Sequence, residues 1–508
     1  MSHFRHLMKK STQKRHYPQL GLQSTTPHPE VSLVSRKAPK SPVRGVKSPS
    51  EDKEPKPMAK PPVLRVIEHG TVIDGLGSPP RQADVVIEGE RIVQVGGATP
   101  AGTVAPEGEC ERIDAQGLTI MPGLIDAHCH ISFDEPSSND ELFFHRREGL
   151  AAIIAATNVR KLLCAGVTGF LDADSLFEVG VDLRDAIEAG IIPGPRMATG
   201  GNALLTAAGG TAGRLIPEEG LIGYGKVVRT SDEITAEVRR QIKLGVDWIK
   251  VHVTGLTPRQ KRQGEARAWS RAELDLVVDV AHTLDIPVVG HCRGADSIRD
   301  AALAGFDLIL HATYMDEAAL EAVVEACMPI VPTFTFQANL ADHGDLVAAG
   351  PEIRAIFQKE IESSCVMLKR AYDAGVPLLC GTESGFSLTP YGDWHYRELE
   401  VFVRDLGLSP LQAIRAATSE AARAIGLDGQ TGAVAEGRLA DLILIDGNPA
   451  DDVRLLGDLA RIKRVMIGGR DQCLDWPAAE RGDPPGWRVS TYGSRILRRN
   501  LLDSGSST

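Results

Sequence analysis

Hydrophobic and polar positions follow one pattern near the two ends of the chain and another in its middle. Near both ends, apolar residues come in short runs between glycine turns, as in "VLRVIEHGTVIDGLG", "ADVVIEGERIVQVG" and "GAVAEGRLADLILIDGNP". Short β-rich runs with glycine between them are typical of antiparallel strands. We therefore predict that residues 63–121 and 428–470 together form one small composite β-sandwich.

Residues 122–427 alternate between strand-like and helix-like runs. The strand-like runs are "AGVTGFLDA", "DWIKVHVTG", "IPVVGHCRG", "FDLILHATY", "MPIVPTFTF" and "VPLLCGTES". Among the helix-like runs, "SRAELDLVVDVAHTL" opens with Ser270 and has Glu273 three residues later, the pattern of a capping box. Repeated βα units predict an α/β fold of the (β/α)8 TIM barrel type. The alternative is a doubly wound sheet, which the absence of a glycine-rich phosphate loop disfavours.

Ionisable residues stand at the ends of several strand-like runs. His128 and His130 are one residue apart, so on a strand their side chains point the same way and can reach one cation. An isolated pair of this kind is more often a pair of surface or core histidines. In a barrel, however, the carboxyl ends of the strands meet at one mouth. We therefore predict one pocket containing His128, His130, Lys250, His291, His311 and Glu383.

Composition narrows the class of protein. With 43% apolar residues, the 508-residue chain can bury a large core, and its net charge of −11 argues against nucleic acid as a partner. The sequence has no run of 18 uncharged apolar residues, so we expect no membrane span. The eight cysteines show no CxxC spacing, and several lie in apolar runs. This usage is typical of reduced thiols in a cytoplasmic protein.

Both terminal segments differ from the rest of the chain. Residues 1–60 hold 13 Lys/Arg and 4 Asp/Glu, are rich in Pro and Ser, and are predicted to be a disordered basic tail. They contain no apolar stretch of the secretory type. An organelle transit peptide, a disordered arm and translation upstream of a start at Met58 remain open. Residues 471–508 are predicted to be a peripheral C-terminal tail.

Six stretches, in their order along the chain, resemble the metal-dependent amidohydrolase superfamily. They are "MPGLIDAHCH", "DWIKVHVTG", "VVGHC", "LILHATYMD", "LLCGTES" and "GRLADLILIDGNP". The resemblance covers about residues 63–470 and is strongest to the branch with Xaa-Pro dipeptidases, ochratoxin amidase, imidazolone hydrolases, and phenylurea and molinate hydrolases. It implies a distorted TIM barrel with a β-sandwich built from both chain ends. By analogy with related barrels we also expect a homo-oligomer, which light scattering would test.

The resemblance also implies a divalent metal centre, with two Zn²⁺ per chain and a single ion as the alternative. His128 and His130 would bind the more buried ion, and His291 and His311 the more exposed one. Lys250, carbamylated by CO₂, would bridge the two ions, because a free ammonium has no acceptor atom. A metal-bound hydroxide would attack the substrate carbonyl, and an acid from the last barrel strand, here Glu383, would carry the proton to the leaving nitrogen.

Three stretches depart from the family pattern. Glu383 lies in "GTES", where relatives have aspartate in "GTD", and this change leaves a mononuclear site open. Arg293 lies in "HCRG", where dipeptidase relatives often have a tyrosine. Residues 209–214, "GGTAGR", replace a "GGHGD"-like loop. The last two departures weaken the dipeptidase interpretation.

Substrate-binding residues are predicted beside the expected mouth. Arg293 and, in the loop after Glu383, Tyr391, Trp394 and His395 are the candidates, although ordinary loop packing explains the loop residues equally well. His395 is also the next candidate for the proton shuttle. Residues 257–267, "TPRQKRQGEAR", are predicted to form a solvated lid.

These patterns favour a metal-dependent hydrolase that cleaves a C–N bond of amide, carbamate or urea type in a small molecule. The alternatives are an Xaa-Pro-type dipeptidase and a non-catalytic scaffold with the same fold. Scaffolds of this fold usually lack several metal ligands, whereas here every histidine position and the lysine are filled. A deaminase is disfavoured because the mononuclear deaminases lack the bridging lysine.

Overall fold

The computed structural model describes residues 64–97, 110–133, 135, 146–209, 223–256, 265–474 and 497–504. The predictions for residues 1–60, for most of the 209–214 loop and for most of the 257–267 insertion lie outside the described residues. The same holds for most of the predicted C-terminal tail. None of the described helices is long and apolar enough to cross a lipid bilayer.

The described residues form the following strands: β1 (Leu64–Glu68), β2 (Thr71–Val72), β3 (Arg81–Gln82), β4 (Asp84–Glu88), β5 (Arg91–Gly96), β6 (Cys110–Asp114), β7 (Leu118–Pro122), β8 (Leu124–Cys129), β9 (Val167–Asp172), β10 (Arg196–Thr199), β11 (Ala203–Thr206), β12 (Gly225–Val228), β13 (Ile249–His252), β14 (Thr254–Leu256), β15 (Ala266–Arg267), β16 (Val288–Gly294), β17 (Leu308–Tyr314), β18 (Ile330–Val331), β19 (Leu442–Asp446), β20 (Ile462–Ile467) and β21 (Arg470–Asp471).

The helices of the same residues are α1 (Glu148–Cys164), α2 (Val179–Glu188), α3 (Ser231–Leu244), α4 (Arg271–His282), α5 (Ala295–Ala304), α6 (Glu317–Glu325), α7 (Thr335–His343), α8 (Pro351–Asp373), α9 (Arg397–Arg404), α10 (Pro410–Ala416) and α11 (Asn500–Ser504). Short 3₁₀ helices span Gly344–Val347, Ala421–Ile425, Val453–Gly457 and Leu459–Arg461.

Strands from both chain ends share one sheet. β19 pairs antiparallel with β7, and the six-stranded sheet has the order β21-β20-β19-β7-β2-β3. A second sheet, β5-β4-β1-β6, comes from the N-terminal side alone. Ile67 and Ile87 of the second sheet belong to the same buried apolar cluster as Ile120, Leu442 and Met466 of the first. The two ends of the chain are therefore held together by backbone pairing and by a common core.

The middle of the chain forms parallel sheets with helices between the strands. β8, β9 and β10 pair in parallel, and a six-stranded parallel sheet has the order β12-β11-β13-β16-β17-β18. Segment 378–384 makes parallel bridges to both sheets, Leu378 to Ile330 and Ser384 to Cys129. This mixed α/β arrangement fits a barrel, although the described residues form no continuous closed sheet.

Local signals set the ends of several helices. The predicted capping box is confirmed: the backbone N of Ser270 donates to Glu273 Oε2 at 2.7 Å, and Ser270 Oγ accepts from Glu273 N at 3.4 Å. α3 ends at Gly245, whose φ of 100° is left-handed and unfavourable for residues with a Cβ atom. The turn at Gly245 leads the chain toward β13, the strand that carries Lys250. The helix that begins at the capping box, α4, precedes β16, the strand that carries His291.

Residues 471–508 are predicted from the sequence to be a peripheral tail. This prediction is wrong at Leu497, the first residue of the last described segment, which is buried. Leu497 is 0% exposed and belongs to the largest apolar cluster. Its backbone N donates to Ser387 O and its carbonyl accepts from Trp394 Nε1, both at 2.9 Å. The composition of this segment gave no sign of the contact, because the position of a single buried leucine depends on long-range packing and not on a local pattern.

Candidate active site

A cavity of about 300 Å³ brings the six predicted metal and proton-transfer residues together. Its walls include His128, His130, Lys250, His291, His311 and Glu383, and also Arg293. A volume of this size is at the lower end of the range for small-molecule sites. The cavity is thus able to hold a small substrate against one cluster of nitrogen and oxygen ligands.

Parallel strand pairing explains why residues far apart in sequence meet here. His128 lies in β8, Lys250 in β13, His291 in β16 and His311 in β17. In the sheet register, His252 of β13 lies opposite His291, and Cys292 lies opposite His311. Side chains at the same end of neighbouring parallel strands therefore converge, as the strand pattern predicts.

The ring positions are close enough for shared metal coordination. Ring centroids are 5.0 Å apart for His128 and His130, 5.2 Å for His128 and His311, and 4.4 Å for His291 and His311. Ligand atoms of His128, His311 and Glu383 all lie within 4.8 Å of one another. Imidazole nitrogen and carboxylate oxygen are the ligands that Zn²⁺ takes in catalytic sites.

Hydrogen bonds orient two of the histidines. Nδ1 of His128 is 3.1 Å from Thr333 Oγ1, and Nδ1 of His130 is 3.2 Å from the backbone oxygen of Asp174, with the carboxylate Oδ1 of Asp174 also within 2.5 Å. With Nδ1 engaged, Nε2 of each ring is left for another partner, the arrangement in which a second group fixes the tautomer of a metal-binding histidine.

Some buried ring nitrogens in the cavity have no hydrogen-bond partner among the described residues, which bears on whether these residues suit a metal ion. Nε2 of His128 and both ring nitrogens of His311 are buried without a hydrogen-bond partner among the described residues. Leaving such an atom unsatisfied costs about 1–3 kcal/mol, and a cation in the cavity would remove that cost. The residues present therefore fit a divalent metal.

Burial keeps most of these histidines neutral. Burial, followed by the charge of Lys250, lowers the pKa of His128 well below its usual range, and burial does the same for His311. Burial also lowers the pKa of His291, although Glu265 opposes the shift. His130 differs, because the Asp174 carboxylate outweighs burial and raises its pKa. Neutral imidazole is the form that binds a metal, and a cation would displace a proton from His130.

Glu383 is held in a strained position beside the histidines. Its φ is 55°, a value uncommon for residues other than glycine, and its backbone N donates to His128 O at 2.7 Å. Burial raises the pKa of its carboxyl group, although His130, Arg293 and Lys250 oppose the shift. A carboxyl group with a raised pKa that borders a cavity is suited to accept and return a proton.

Sequence analysis missed a second polar group in the cavity, formed by Asp174, His252 and Tyr224. Asp174 Oδ2 lies 2.7 Å from His252 Nε2, 3.3 Å from Tyr224 Oη and 3.5 Å from Lys250 Nζ. Lys250 and His130 hold the pKa of Asp174 well below its usual range even though burial alone would raise it. The negative charge of Asp174 therefore lies beside both His130, a predicted metal ligand, and Lys250.

Part of this group had a usable signal in the sequence. Asp174 follows the strand-like run "VTGFLD", and His252 lies two residues after Lys250 on one strand, so its side chain points the same way. Glu265 also lines the cavity, but it lies outside the long strand-like runs, and only the structure shows its position.

Arg293 lines the cavity, and its positive charge is paired with carboxylates of the protein. Its guanidinium pairs with Glu360 and, at 3.4 Å, with Glu265, and it lies 5.7 Å from the centre of the Tyr314 ring. Two carboxylates beside one guanidinium reduce the positive charge that a substrate would meet.

Tyr391, Trp394 and His395 are buried but are not among the residues that line this cavity. Tyr391 Oη accepts from His130 N at 3.0 Å, and Trp394 Nε1 donates to Leu497 O. His395 Nε2 accepts from Gly392 N at 3.1 Å, while Nδ1 contacts Asp126 Oδ2 at 2.9 Å. These contacts use both ring nitrogens, so His395 supports the strand-end backbone and does not face the cavity.

Phenylalanines provide the aromatic surface of the cavity instead. They come from four separate parts of the chain: Phe133, Phe336, Phe357 and Phe386. The loop after Glu383 contributes only Phe386 of this set, because the rest of its aromatic side chains turn toward the protein interior.

Comparisons with known proteins agree with this arrangement. Ochratoxinase from Aspergillus niger is 29% identical over 432 residues, which cover 80% of this chain and 86% of that protein. Its crystal structure has a TM-score of 0.69 at 26% identity, with 81% of this chain and 96% of that chain covered. A Xaa-Pro dipeptidase with bound methionine also has a TM-score of 0.69, at 27% identity, covering 80% and 99%. Molinate hydrolase, at 24% identity, is similar in fold, with a TM-score of 0.66 and coverage of 82% and 95%.

The match to a family model is more extensive than any single motif. The model of the amidohydrolase family matches residues 119–471, from β7 to β21, and so includes every strand that contributes to the cavity. Together with the likeness to ochratoxinase, this match supports a hydrolase that acts on carbon–nitrogen bonds. The chain belongs to the amidohydrolase family.

Proposed function

We propose that this protein hydrolyses a C–N bond of amide, carbamate or urea type in a small molecule, using divalent metal held by the cavity histidines. The observation that carries the proposal is the convergence of four histidines, Lys250 and Glu383. Among them, Nε2 of His128 and both ring nitrogens of His311 are buried without a hydrogen-bond partner among the described residues. A non-catalytic scaffold would have no need for these costly unpaired groups.

His128, His130, His291 and His311 would hold the metal, with Lys250 as a carbamate between two positions. Zn²⁺ is the expected ion, two per chain, with a single ion as the alternative. Bound metal would supply Lewis-acid chemistry, polarising a carbonyl and lowering the pKa of water. Lys250 is 1% exposed, so its unmodified ammonium would be a buried charge beside the histidines.

Glu383 would move the proton. Because burial raises the pKa of its carboxyl group, Glu383 can take a proton from the attacking water and return it to the leaving nitrogen. Asp174 would orient His130 through Nδ1, and Thr333 would orient His128 in the same way.

The substrate would carry an aromatic or other apolar group, because four phenylalanines line the cavity. An N-acyl amino acid with an aromatic acyl group is our leading candidate, given the likeness to ochratoxinase. An Xaa-Pro dipeptide is the second candidate, favoured by the likeness to the Xaa-Pro dipeptidase structure. The pairing of Arg293 with Glu265 and Glu360 leaves little free positive charge for a substrate carboxylate, and because both candidates carry a carboxylate it does not separate them.

The architecture that supports this chemistry is proposed to be a distorted TIM barrel. Segment 378–384 would join the two parallel sheets, as its bridges to Ile330 and Cys129 suggest. The two sheets that share the core of Ile67 and Leu442 would form the composite β-sandwich.

A substrate panel tests the proposal. We expect the zinc-loaded protein to hydrolyse at least one class among N-acyl amino acids, dipeptides, phenylureas and thiocarbamates. The same preparation treated with a chelator should lose turnover and regain it when Zn²⁺ is returned. Absence of turnover on every class by fully loaded protein would favour the scaffold alternative.

A further inference from the structure

The loop after Glu383, residues 384–396, forms one side of the cavity through Phe386. It follows Glu383, whose φ is positive, and such a backbone conformation persists only when its surroundings hold it. Part of that support is local: Thr389 Oγ1 donates to Glu383 O at 2.8 Å, and Gly385 N donates to Thr389 O at 3.0 Å. The remaining support comes from elsewhere in the chain.

Residues 497–499, here called the C-terminal clamp, contact this loop at several points. Leu497 N donates to Ser387 O, and Leu497 O accepts from Trp394 Nε1, both at 2.9 Å. Leu497 is fully buried, so these two hydrogen bonds are shielded from water. The clamp thus ties together two points of the loop that are seven positions apart.

Arg498 adds a link between this loop and the segment that contains Phe133 and Glu135. Its guanidinium pairs with Asp393 at 3.1 Å and with Glu135 at 2.5 Å. Glu135 is fully buried and also pairs with Lys161 at 3.0 Å. A buried carboxylate with two cationic partners is costly to separate from either of them.

The two segments joined by Arg498 carry groups of the active site. Glu135 lies shortly after His130 and Phe133, and Asp393 lies in the loop that starts after Glu383. The Phe133 and Phe386 rings, one from each side, are 5.4 Å apart at their centroids. A change in the distance between the segment of Phe133 and Glu135 and the loop after Glu383 would therefore alter both the cavity wall and the position of Glu383.

We propose that Arg498 is a positioning residue for the hydrolytic site, holding the loop after Glu383 against the segment that contains Phe133 and Glu135. This inference rests on the proposed function. Arg498 does not touch the cavity, so its effect on turnover would come through the placement of Glu383 and Phe386. A displacement of about 1 Å at reacting groups can cost on the order of 10²-fold in rate.

The test compares Arg498→Met with Arg498→Lys in the full-length, zinc-loaded protein. Arg370→Met is the control, because both nitrogens of the Arg370 guanidinium also pair with carboxylate oxygens, here those of Glu317 on an exposed surface. We expect Arg498→Met to lower kcat by about tenfold or more, with zinc content and KM changed little. Arg498→Lys should recover part of kcat, and Arg370→Met should match the wild-type protein.

Amide hydrogen exchange separates positioning from general destabilisation and does not depend on a substrate. In Arg498→Met, residues 384–396 should exchange faster while β13, β16 and β17 keep wild-type rates. If Arg498→Met does not fold, Asp393→Asn removes one partner of the same contact and should give the same pattern. Wild-type exchange in residues 384–396, or wild-type kcat despite faster exchange, would overturn the proposal. If the wild-type protein has no turnover, the proposed function fails, and the exchange data alone decide whether the clamp exists.

Discussion

Lys250→Ala is expected to lower turnover by more than about 10²-fold, the upper end of the effect of residues that only support a metal ligand. Lys250 is 1% exposed and lies among the cavity histidines, and a carbamate on its Nζ would supply anionic oxygen to the metals. Alanine supplies no ligand, so metal per chain should fall as well. Turnover measured together with zinc content checks both parts of this expectation.

Lys250→Arg distinguishes the carbamate from a simple ion pair. Lys250 Nζ lies 3.5 Å from Asp174, and arginine would keep this pairing but cannot be carbamylated. We expect Lys250→Arg to be as inactive as Lys250→Ala. Lys369→Ala, which removes a lysine from an exposed pair with Asp373, serves as the control and should remain active. Activity in Lys250→Arg would show that the positive charge, and not a carbamate, is what the site requires.

Glu383→Gln is expected to retain metal and to lose on the order of 10²-fold or more in kcat, the usual scale for general acid–base catalysis. Glutamine keeps the size of the side chain but cannot hold the proton. Steady-state kinetics together with a zinc measurement would show the lowered kcat at an unchanged zinc content. Full activity at full metal content would mean that another group carries the proton. His395 is then a poor replacement, since both of its ring nitrogens are already hydrogen-bonded within the protein.

Glu383→Asp reports how firmly the backbone is fixed. Glu383 N is bonded to His128 O, and a Cβ atom at the nearby Gly381 would come within 2.8 Å of His128, so the strand end cannot move closer. Loss of one methylene would withdraw the carboxylate by about 1.5 Å. We therefore expect aspartate to be nearly as damaging as glutamine, even though relatives use aspartate at this position.

Much of the cavity could be predicted from the sequence because its key residues follow apolar strands. Strand ends are local features, and parallel pairing then determines which of them meet. His291 and His311 were predicted in this way, and Asp174 could have been, since it lies two residues after the end of β9. The capping box at Ser270 was equally local.

Features that depend on long-range packing could not be predicted. Trp394 and His395 are near Glu383 in sequence, yet hydrogen bonds to Leu497 and Asp126 direct their side chains away from the cavity. Phe357 lines the cavity from α8, which has no strand-end signal. The burial of Leu497 likewise depends on a partner loop more than 100 residues earlier in the chain.

Elemental analysis of the full-length protein, purified after growth with added zinc, is the most direct test of the account. The convergence of four histidines with Lys250 and Glu383 predicts two divalent ions per chain at full occupancy. A value below about 0.2 ion per chain would contradict the account, because these residues would then fail to form the catalytic metal site that their geometry indicates.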